Sequence, residues 1–496
     1  MTTIDYPQID YPQLYIAGTW TSPSGHDTIE VHSPATEERI GSVPRGKEAD
    51  IDAAVAAART AFDAPDGWAN WDPKERADVL EKFAAELEAR GAETARRVSM
   101  QNGMPIWLAH QFEAGFPALL VRYYSGLMTS APVEEERLGL FGGISLVSKD
   151  PIGVVGAIVP WNVPQGISFL KIAPALAAGC TMVLKPAEET VLDAFLMAEA
   201  AAAAGLPDGV LNVIPGGRDV GAYLVEHPGV DKVSFTGSTA AGRWIAEACG
   251  RLLRPVTLEL GGKSAAIVLD DADLSASIEQ FFGVTLLNNG QICWLNTRVL
   301  IPRSRYPEIV DTITDLARSL KVGDPLDPET KVGPLVSERQ RERVEGYIAK
   351  GKSEGRMTTG GSRPFDRGWF LEPTIFADLD NNATVAREEI FGPVLSLIPY
   401  SDEDEAIAIA NDSVYGLGGS VWSSDPERAT NVARRVHSGT VGVNHYVNDP
   451  VAPFGGIKES GMGRELGPEG LQAFQVYKTI YLPPPPAAAQ PPATPQ

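Results

Sequence analysis

The sequence predicts an α/β protein made of two α/β domains, each built around its own sheet. Apolar, β-rich segments alternate with amphipathic helical segments along most of the chain, which is typical of right-handed βαβ units around a buried parallel sheet. The alternation occurs as two successive sets, one between 152 and 262 and the other between 264 and 444. A chain of 496 residues is long enough to give each set a sizeable core.

Outside these two sets, the chain has a helical segment and two unusual ends. From Asp52 to about Met128 the apolar residues recur at three- and four-residue steps, which predicts helices. The sequence IDYPQ occurs twice in succession, at 4–8 and 9–13, and its prolines favour an extended or frayed arm. Residues 483–496 are mostly Pro, Ala and Gln and can bury little surface, so we expect a disordered tail.

The composition argues against several function classes. The formal net charge of −22 would repel a phosphate backbone or an acidic membrane surface, and no Lys/Arg stripe offsets it, so we expect neither nucleic acid nor membrane as a partner. The three cysteines lack metal-ligand spacing, and we expect no metal site. There is no signal-peptide pattern and no apolar run of about 18 residues. A reducing, cytoplasmic compartment is the predicted location.

The first candidate for chemistry is Cys293, in the stretch LLNNGQICWLNTRVL. It lies between an Asn-Asn-Gly-Gln turn and an apolar run, and none of the six histidines is nearby in sequence. Cys293 is therefore either a small buried hydrophobe or a nucleophile whose base is not a histidine. We expect the other two cysteines, Cys180 and Cys249, to be inert core residues.

Two further residues stand where a strand is predicted to end. Glu259, in TLELGGKS, is an acidic residue between two leucines. A buried carboxylate is costly without a partner or a purpose, so Glu259 is a general base or a salt-bridged structural residue. Asn162 lies between two prolines in PWNVP, directly after the strand GAIV. Its amide is either a rigid donor for a developing oxyanion or an ordinary turn residue.

Two other motifs follow predicted strands at positions suited to a phosphate or a ribose. No G-x-G-x-x-G opens a helix in the first set, but FTGSTAAG, with Gly237, Ser238 and Gly242, follows the strand KVSF and begins a helix. Its N–H groups either face a pyrophosphate or form a plain capped turn. KPAE places Lys185 and Glu188 after the strand TMVL, where they either hold a ribose or are simply solvated.

Each motif alone is weak, but the order PWNVP, KPAE, FTGSTAAG, LELGGKS, GQIC, EEIFGPV and PFGGIKESGMGRELG is specific. In this order the chain resembles the NAD(P)-dependent aldehyde dehydrogenase superfamily, from about Leu14 to Tyr481. LELGGKS with Glu259 and GQIC with Cys293 correspond to the two active-site signatures of that superfamily.

The resemblance implies a reaction and a role for each candidate. Cys293 is expected to be the nucleophile, with Glu259 acting as its base largely through water, and the Asn162 amide and the Cys293 N–H are expected to hold the oxyanion. After hydride transfer, Glu259 activates the water that hydrolyses the thioester on Cys293. The net reaction is aldehyde plus NAD plus water to carboxylic acid plus NADH.

The resemblance also implies the cofactor contacts. NAD is the expected cofactor, with NADP as an alternative, and Glu188 favours NAD because a carboxylate would repel a 2′-phosphate. The expected contacts are Ile158, Trp161, Lys185, Glu188, Gly217, Gly237, Ser238, Gly242, Leu260, Glu389 and Phe391.

The implied architecture is a Rossmann-like cofactor domain, a second α/β catalytic domain and a small β oligomerisation element. The cofactor domain is expected to comprise residues 1–130 and 150–261, and the catalytic domain residues 262–461. The oligomerisation element is expected to combine residues 131–149 and 470–482. We expect a homodimer or homotetramer, because an exposed strand in that element would otherwise be an unpaired edge.

The substrate class is predicted from the positions that the resemblance places around an aldehyde tunnel. They are Phe116, Val163, Leu170, Ile292, Trp294 and Phe454. None of these side chains is charged, and recognition of a semialdehyde carboxylate calls for an Arg or Lys fork. A neutral, apolar aldehyde is therefore the predicted substrate.

Three alternatives remain at the level of the sequence. A relative that transfers its acyl group to coenzyme A can dispense with the water-activating carboxylate, whereas Glu259 is present. A cofactor-independent thiol esterase would leave KPAE and EEIFGPV unexplained. A non-catalytic binding protein would not explain why Cys293, Glu259 and Asn162 occur together.

Overall fold

The structure of the protein is a computed structural model that describes residues 6–130, 132 and 134–483. The expected disordered tail therefore lies, apart from Pro483, outside the described residues. The first copy of IDYPQ is described only from Tyr6 onward.

The chain begins with short strands, followed by the predicted helical segment. The strands are β1 (Ile9–Asp10), β2 (Leu14–Ile16), β3 (Thr19–Thr21), β4 (Thr28–His32) and β5 (Arg39–Pro44). The helices are α1 (Glu48–Asp63), α2 (Pro73–Ala89), α3 (Gly91–Asn102), α4 (Ile106–Ala109) and α5 (Phe116–Ser130), with a π-helix at His110–Gly115. A hairpin follows, formed by β6 (Glu134–Leu138) and β7 (Ile144–Pro151).

The first alternating set forms as the sequence predicts. Its elements are β8 (Val154–Ile158), α6 (Pro164–Ala178), β9 (Thr181–Lys185), α7 (Leu192–Ala203), β10 (Leu211–Val213), α8 (Arg218–Glu226), β11 (Lys232–Thr236), α9 (Thr239–Arg251) and β12 (Val256–Glu259).

The second set is also confirmed, with additional elements. It comprises β13 (Ala265–Val268), α10 (Ile278–Thr285), β14 (Arg298–Pro302), α11 (Tyr306–Ser319), α12 (Glu338–Glu354), β15 (Arg356–Thr359), β16 (Thr374–Ala377), α13 (Thr384–Arg387), β17 (Val394–Tyr400), α14 (Glu403–Asn411), β18 (Gly419–Trp422), α15 (Pro426–Ala433) and β19 (Gly442–Val443). The chain then forms β20 (Gly461–Met462), α16 (Gly467–Gln472) and β21 (Gln475–Leu482).

Two large sheets carry these sets. The first has the order β20-β12-β11-β8-β9-β10-β2-β3, in which β12 to β10 are parallel and β2 and β20 add antiparallel strands. The second has the order β15-β16-β17-β14-β13-β18-β19 and is parallel except for β15. Parallel strands need helical crossovers, which accounts for the alternation seen in the sequence.

The core extends across the first sheet through α6. Every residue of this helix is buried, and it packs closely against α5. Pro164 occupies its first turn, where a missing N–H costs nothing, and the left-handed Gly179 (φ 96°) ends it. The helix is therefore a rigid support directly after the PWNVP segment. Cys180 and Cys249 are fully buried in the core, as predicted.

The N-terminal segment is extended, as predicted, and it is docked rather than frayed from Tyr6 onward. Strand β1 pairs with β5, and Tyr6 is buried. The Tyr11 ring packs on Phe195 at 4.7 Å between centroids, and its hydroxyl donates to Glu199 at 2.6 Å. Burial of these aromatic rings thus holds the N-terminal segment against the domain, although its prolines alone predict a frayed arm.

A third, antiparallel sheet has the order β21-β7-β6. Strand β21 pairs with β7 along eight residues, from Gln475 opposite Pro151 to Leu482 opposite Ile144. In the part of the chain that the structure describes, no helix has both the length and the apolar character needed to cross a membrane.

Candidate active site

The ends of four parallel strands bring predicted site residues into one row. Strand register places Ile158 opposite Lys185 and opposite Phe235, and Thr236 opposite Glu259. These are the carboxyl ends of β8, β9, β11 and β12, the edge at which open α/β sheets bind ligands. The motifs that follow each strand therefore converge, although they are far apart in sequence.

The loop before Cys293 is held in a left-handed backbone conformation. Asn288, Asn289 and Gly290 have φ angles of 48°, 60° and 76°, a region that Asn and Gly tolerate better than other residues. The Asn289 amide donates to the carbonyls of Gly103 and Pro334, each at 2.9 Å. These bonds compensate for the strained backbone and fix the position of the residues that follow.

Cys293 lies at the wall of a cavity of about 680 Å³. Glu259 and Asn162 line the same cavity, together with all six residues predicted for the substrate tunnel: Phe116, Val163, Leu170, Ile292, Trp294 and Phe454. Burial raises the pKa of the Cys293 thiol, and the carboxyl groups of Glu389 and Glu259 raise it further. The thiol thus needs a nearby base to become a thiolate.

Glu259 is buried, as predicted, at the end of β12. Its Oε1 lies so close to Gly455 that a Cβ atom there would come within 2.7 Å of it. Burial raises the pKa of this carboxyl well above its ordinary value, Glu465 raises it further, and Lys171 and Arg464 oppose the shift. A carboxylate with a raised pKa holds a proton more strongly than an ordinary glutamate, which suits a general base.

Asn162 is fixed by hydrogen bonds on both sides. Its side-chain amide donates to the backbone carbonyl of Gln291 at 3.0 Å, and its backbone carbonyl accepts from the side-chain amide of Asn288 at 2.9 Å. One N–H of the amide is therefore used within the protein, which leaves the second for a ligand in the cavity. The bonds tie the PWNVP segment directly to the loop before Cys293.

A buried ion pair lies behind Glu259. The Lys171 ammonium donates to Glu465 at 2.5 Å and to the Thr236 hydroxyl at 2.8 Å, and both charged side chains are almost fully buried. Thr236 and Glu465 also line the cavity. The pair therefore places a charged network next to the candidate base.

Sequence reasoning missed several residues of this cavity. They come from α4, the π-helix, α10, α11, the loop between α11 and α12, and the segment after β19: Trp107, Gln111, Phe112, Ile278, Phe282, Leu316, Lys331 and Tyr446. The Tyr446 ring stacks on Trp294 at 4.7 Å, and its hydroxyl lies 2.6 Å from that of Thr440. The only signal in the sequence was the aromatic character of these segments.

A second cavity, of about 1050 Å³, opens beside Lys185 and Glu188. Ile158, Gly217 and Ser238 also line it, so five of the predicted cofactor residues share one surface. Lys185 donates to the carbonyls of Pro186 and Gly216 at 2.9 and 2.6 Å. Burial lowers the pKa of its ammonium to about 8.

The other predicted cofactor residues are not among those that line this cavity, and they fall into two groups. Gly237 and Gly242 permit close packing, because a Cβ on either would come within 2.5 Å of Phe235 or Leu260 respectively. Gly237 also donates its N–H to the carbonyl of Glu259. These glycines bring the start of α9 close to the end of β12.

The second group lies on the side of Cys293. The Glu389 carboxyl accepts from the Gly262 N–H at 2.9 Å, and burial raises the pKa of Glu389 to about 7. Phe391 contacts Trp161 edge-on, with 5.2 Å between ring centroids. A Cβ on Gly262 would lie 2.3 Å from the carbonyl oxygen of Cys293, so this group adjoins the loop that carries Cys293.

Comparisons with known proteins agree with this geometry. The sequence model of the aldehyde dehydrogenase family matches residues 20–480. A geranial dehydrogenase from Castellaniella defragrans is 55% identical over 475 residues, which cover 96% of this chain and 99% of that protein. A crystal structure of a Mycobacterium tuberculosis aldehyde dehydrogenase complexed with NAD⁺ has a TM-score of 0.93 at 49% identity and covers 97% of this chain and 99% of that one. A variant of the aldehyde dehydrogenase AldC from Pseudomonas syringae, complexed with NAD⁺ and octanal, has a TM-score of 0.91 at 40% identity, covering 95% and 96%.

The family match extends over nearly the whole chain, and the structural similarity confirms the predicted fold class. The resemblance seen in the seven sequence motifs is thus confirmed. The chain belongs to the aldehyde dehydrogenase family of oxidoreductases.

Proposed function

We propose that this enzyme oxidises neutral, apolar aldehydes to carboxylic acids with NAD⁺, through a thioester on Cys293 that is hydrolysed by water activated by Glu259. The observation that carries the proposal is the composition of one cavity wall. A thiol, a carboxyl with a raised pKa and a fixed amide meet there with a set of apolar side chains. These are the groups that covalent aldehyde oxidation requires.

The residues around the second cavity fit a dinucleotide. Lys185 uses two of its three hydrogens on backbone carbonyls and keeps one for a ligand, and Glu188 offers carboxylate oxygens that can accept from a ribose diol. A Cβ on Gly217 would lie 3.3 Å from Glu188 Oε2, so glycine leaves the approach open. When bound, a nicotinamide dinucleotide supplies the acceptor for the hydride that the Cys293 adduct loses.

The chain's own groups account for the other steps. Glu259 takes the thiol proton, directly or through water, and the Cys293 sulfur adds to the aldehyde carbon. The second N–H of Asn162 and the backbone N–H of Cys293 are placed to donate to the resulting oxyanion, and losing one such donor typically costs about 3 kcal/mol of barrier. Glu259 then releases the thiol proton to solvent and takes a proton from the water that attacks the thioester; this second proton passes to the departing Cys293 sulfur, which releases the acid and restores the thiol.

Glu389 and Phe391 are proposed to position the reacting end of the dinucleotide. Glu389 is fixed by the Gly262 N–H, and Gly262 contacts the backbone of Cys293. Trp161 packs against Phe391 and limits its motion. Ile158 and Leu260 supply apolar surface at the strand ends, and Gly237, Ser238 and Gly242 shape the turn at the start of α9.

The substrate class follows from the cavity wall. The exposed surface that lines this cavity is mainly apolar, and each methylene buried there contributes about 0.8 kcal/mol until the cavity is full. Lys331 and Glu279 also line it, but both are solvent-exposed, and Lys331 lies over the Trp107 ring. The relatives named for geranial and crystallised with octanal act on or bind apolar aldehydes, which supports the same class here.

The experiment that tests the proposal is an aldehyde panel with product analysis. Purified enzyme and NAD⁺ are mixed with acetaldehyde, octanal, citral, benzaldehyde or succinic semialdehyde, with and without coenzyme A. We expect NADH and the free carboxylic acid, with catalytic efficiency rising with apolar size. A preference for succinic semialdehyde would contradict the substrate class, and an acyl-coenzyme A product would contradict hydrolysis.

We further propose a homodimer or homotetramer formed through residues 131–149 and 470–482, with a cofactor domain of residues 1–130 and 150–261 and a catalytic domain of residues 262–461. Leu140 and Phe141, at the tip of the β6–β7 hairpin, are fully exposed, and Tyr481 on β21 is 81% exposed. Apolar surface of this kind usually marks an interface. The free cysteines suit the cytoplasm as the location.

A further inference from the structure

An arginine from outside the predicted set stands beside the ribose residues of the second cavity. We infer that Arg45 receives the 2′-phosphate of NADP⁺, so that the enzyme accepts both dinucleotides although Glu188 favours NAD⁺. The inference rests on the proposed function, because it concerns the dinucleotide bound in the same cavity. It identifies a specificity-determining residue that the sequence motifs did not indicate.

The loop after β5 places Arg45 at this cavity. The Arg45 N–H donates to the carbonyl of Asp27 and the Gly46 N–H to that of Pro215, both at 2.8 Å. The second bond fastens the loop to the segment that follows β10, just before the cavity-lining Gly217. The backbone of Arg45 is therefore held at the rim, and its side chain lines the cavity.

The Arg45 guanidinium lies between two carboxylates. One nitrogen is 3.2 Å from Glu188 Oε1, and another is 3.0 Å from Asp219 Oδ1. A Cβ on Gly217 would come within 2.5 Å of this second nitrogen. The absence of a side chain at Gly217 is thus what lets the guanidinium reach Glu188.

The charge arrangement alters the effect of Glu188. A lone carboxylate at the ribose would repel a 2′-phosphate, but the Glu188 carboxylate is paired with Arg45, whose side chain is 32% exposed. Partly exposed ion pairs are worth little in water, so exchanging the Glu188 carboxylate for a phosphate costs little. A guanidinium fork binds phosphate through two parallel N–H donors.

Lys185 cannot take this role as readily. Its ammonium is buried, and two of its hydrogens are held by the carbonyls of Pro186 and Gly216. Arg45 keeps its pair with Asp219 when it releases Glu188, so it remains oriented towards the ribose end. The geometry therefore assigns the phosphate to Arg45.

Binding measurements on the whole enzyme test this inference. Calorimetric titrations use NAD⁺ and NADP⁺ and, to isolate the phosphate, adenosine 5′-monophosphate and adenosine 2′,5′-bisphosphate. We expect wild-type NADP⁺ affinity to lie within about tenfold of NAD⁺ affinity, and Arg45→Met to shift the NADP⁺/NAD⁺ affinity ratio by about tenfold or more against NADP⁺. Arg45→Lys should restore part of the ratio because it keeps the charge.

A matched control is Arg339→Met, which removes a guanidinium 3.1 Å from the next carboxylate, Glu189. It should leave the ratio of the two affinities as in the wild type. If Arg45→Met weakens both dinucleotides equally, or leaves the ratio unchanged while NAD⁺ still binds, the inference is wrong. If the wild-type enzyme binds neither dinucleotide, the proposed function itself fails.

Glu188→Gln supplies an independent check, since it removes the repulsion without removing Arg45. It should raise NADP⁺ affinity, and the gain should be smaller when Arg45 is also replaced by Met, because the two residues act on one phosphate. Equal gains in both backgrounds would show that Arg45 does not contact the phosphate.

Discussion

Gly290 lies against Gly392, so closely that a Cβ atom on Gly290 would come within 2.1 Å of the Gly392 carbonyl carbon. This contact joins the loop that precedes Cys293 to the loop that carries Glu389 and Phe391. The positions of Cys293 and of the residues proposed to hold the dinucleotide are therefore linked by one backbone contact. Gly290 also has a φ of 76°, which side chains rarely tolerate.

We expect Gly290→Ala to reduce aldehyde oxidation to a trace and to destabilise the fold by about 2–4 kcal/mol, because both the backbone contact and the positive φ are lost. Activity assays and thermal unfolding measure the two effects. Gly346→Ala is the control, since a Cβ on Gly346, inside α12, meets nothing within 4 Å. A Gly290→Ala enzyme as active as wild type would show that the contact does not position the site.

The raised pKa of Glu259 predicts a pH dependence of turnover. The carboxyl stays protonated to a higher pH than an ordinary glutamate and acts as a base only once ionised. Turnover should therefore fall as the pH drops through a pKa above the usual range of Glu, and the residual activity of Glu259→Gln should lack this ionisation. A pH profile that Glu259→Gln leaves unchanged would remove this residue from the mechanism.

The raised pKa of Glu259 also predicts how stability depends on pH: ionisation of Glu259 enables turnover but destabilises the folded state. When folding raises the pKa of a group, protonation of that group stabilises the folded state. This stabilisation is complete at a pH below the unfolded pKa and is lost as the pH rises through the folded pKa. Glu259→Gln cannot ionise, so it should unfold at the same or a higher temperature than wild type at neutral and alkaline pH. Melting temperatures measured across pH 5 to 9 check this; a large loss of stability at pH 8 would contradict it.

The apolar wall predicts how chain length affects rate. Phe116→Ala removes cavity-lining surface at the start of α5 and should lower kcat/KM for octanal by about tenfold, mainly through KM, while acetaldehyde is affected less. Phe365→Ala is the control, because this ring packs on Phe370 and does not line the cavity. Equal losses for both aldehydes would show that Phe116 does not contact the substrate chain.

The exposed hairpin tip predicts that assembly depends on Leu140 and Phe141. Replacing both with Asp should shift the enzyme towards monomers in sedimentation velocity, because charges would replace apolar contact surface at an interface. An unchanged oligomer would place the interface elsewhere. Removal of 483–496 should leave assembly and activity as they are.

The alternating sheets and the central residues could be predicted because their signals are local. Strands buried on both faces are continuous apolar runs, so Glu259 stands out as an acid within one of them. Cys293 is marked by the Asn-Asn-Gly-Gln turn before it, whose residue types suit a left-handed backbone.

The rest depends on contacts between distant segments. Strands β2 to β5 are short and partly polar, and they form because they pair with strands far along the chain or with each other. Arg45 has no neighbouring motif and reaches its cavity only through the tertiary fold. In the π-helix at His110–Gly115 each backbone hydrogen bond spans one residue more than in an α-helix. The periodicity of the sequence does not reveal this difference.

The most direct test of the account is to trap the proposed thioester. Glu259→Gln is incubated with NAD⁺ and octanal long enough for Cys293 to lose its proton to solvent in place of Glu259, quenched with acid, and digested for mass spectrometry. We predict one octanoyl group on the peptide that contains Cys293, formed together with one equivalent of NADH, and no such adduct when Cys293 is also replaced by Ala. NADH formation without an acyl group on Cys293, or an octanoyl adduct on Cys180 or Cys249 instead, would contradict the covalent mechanism.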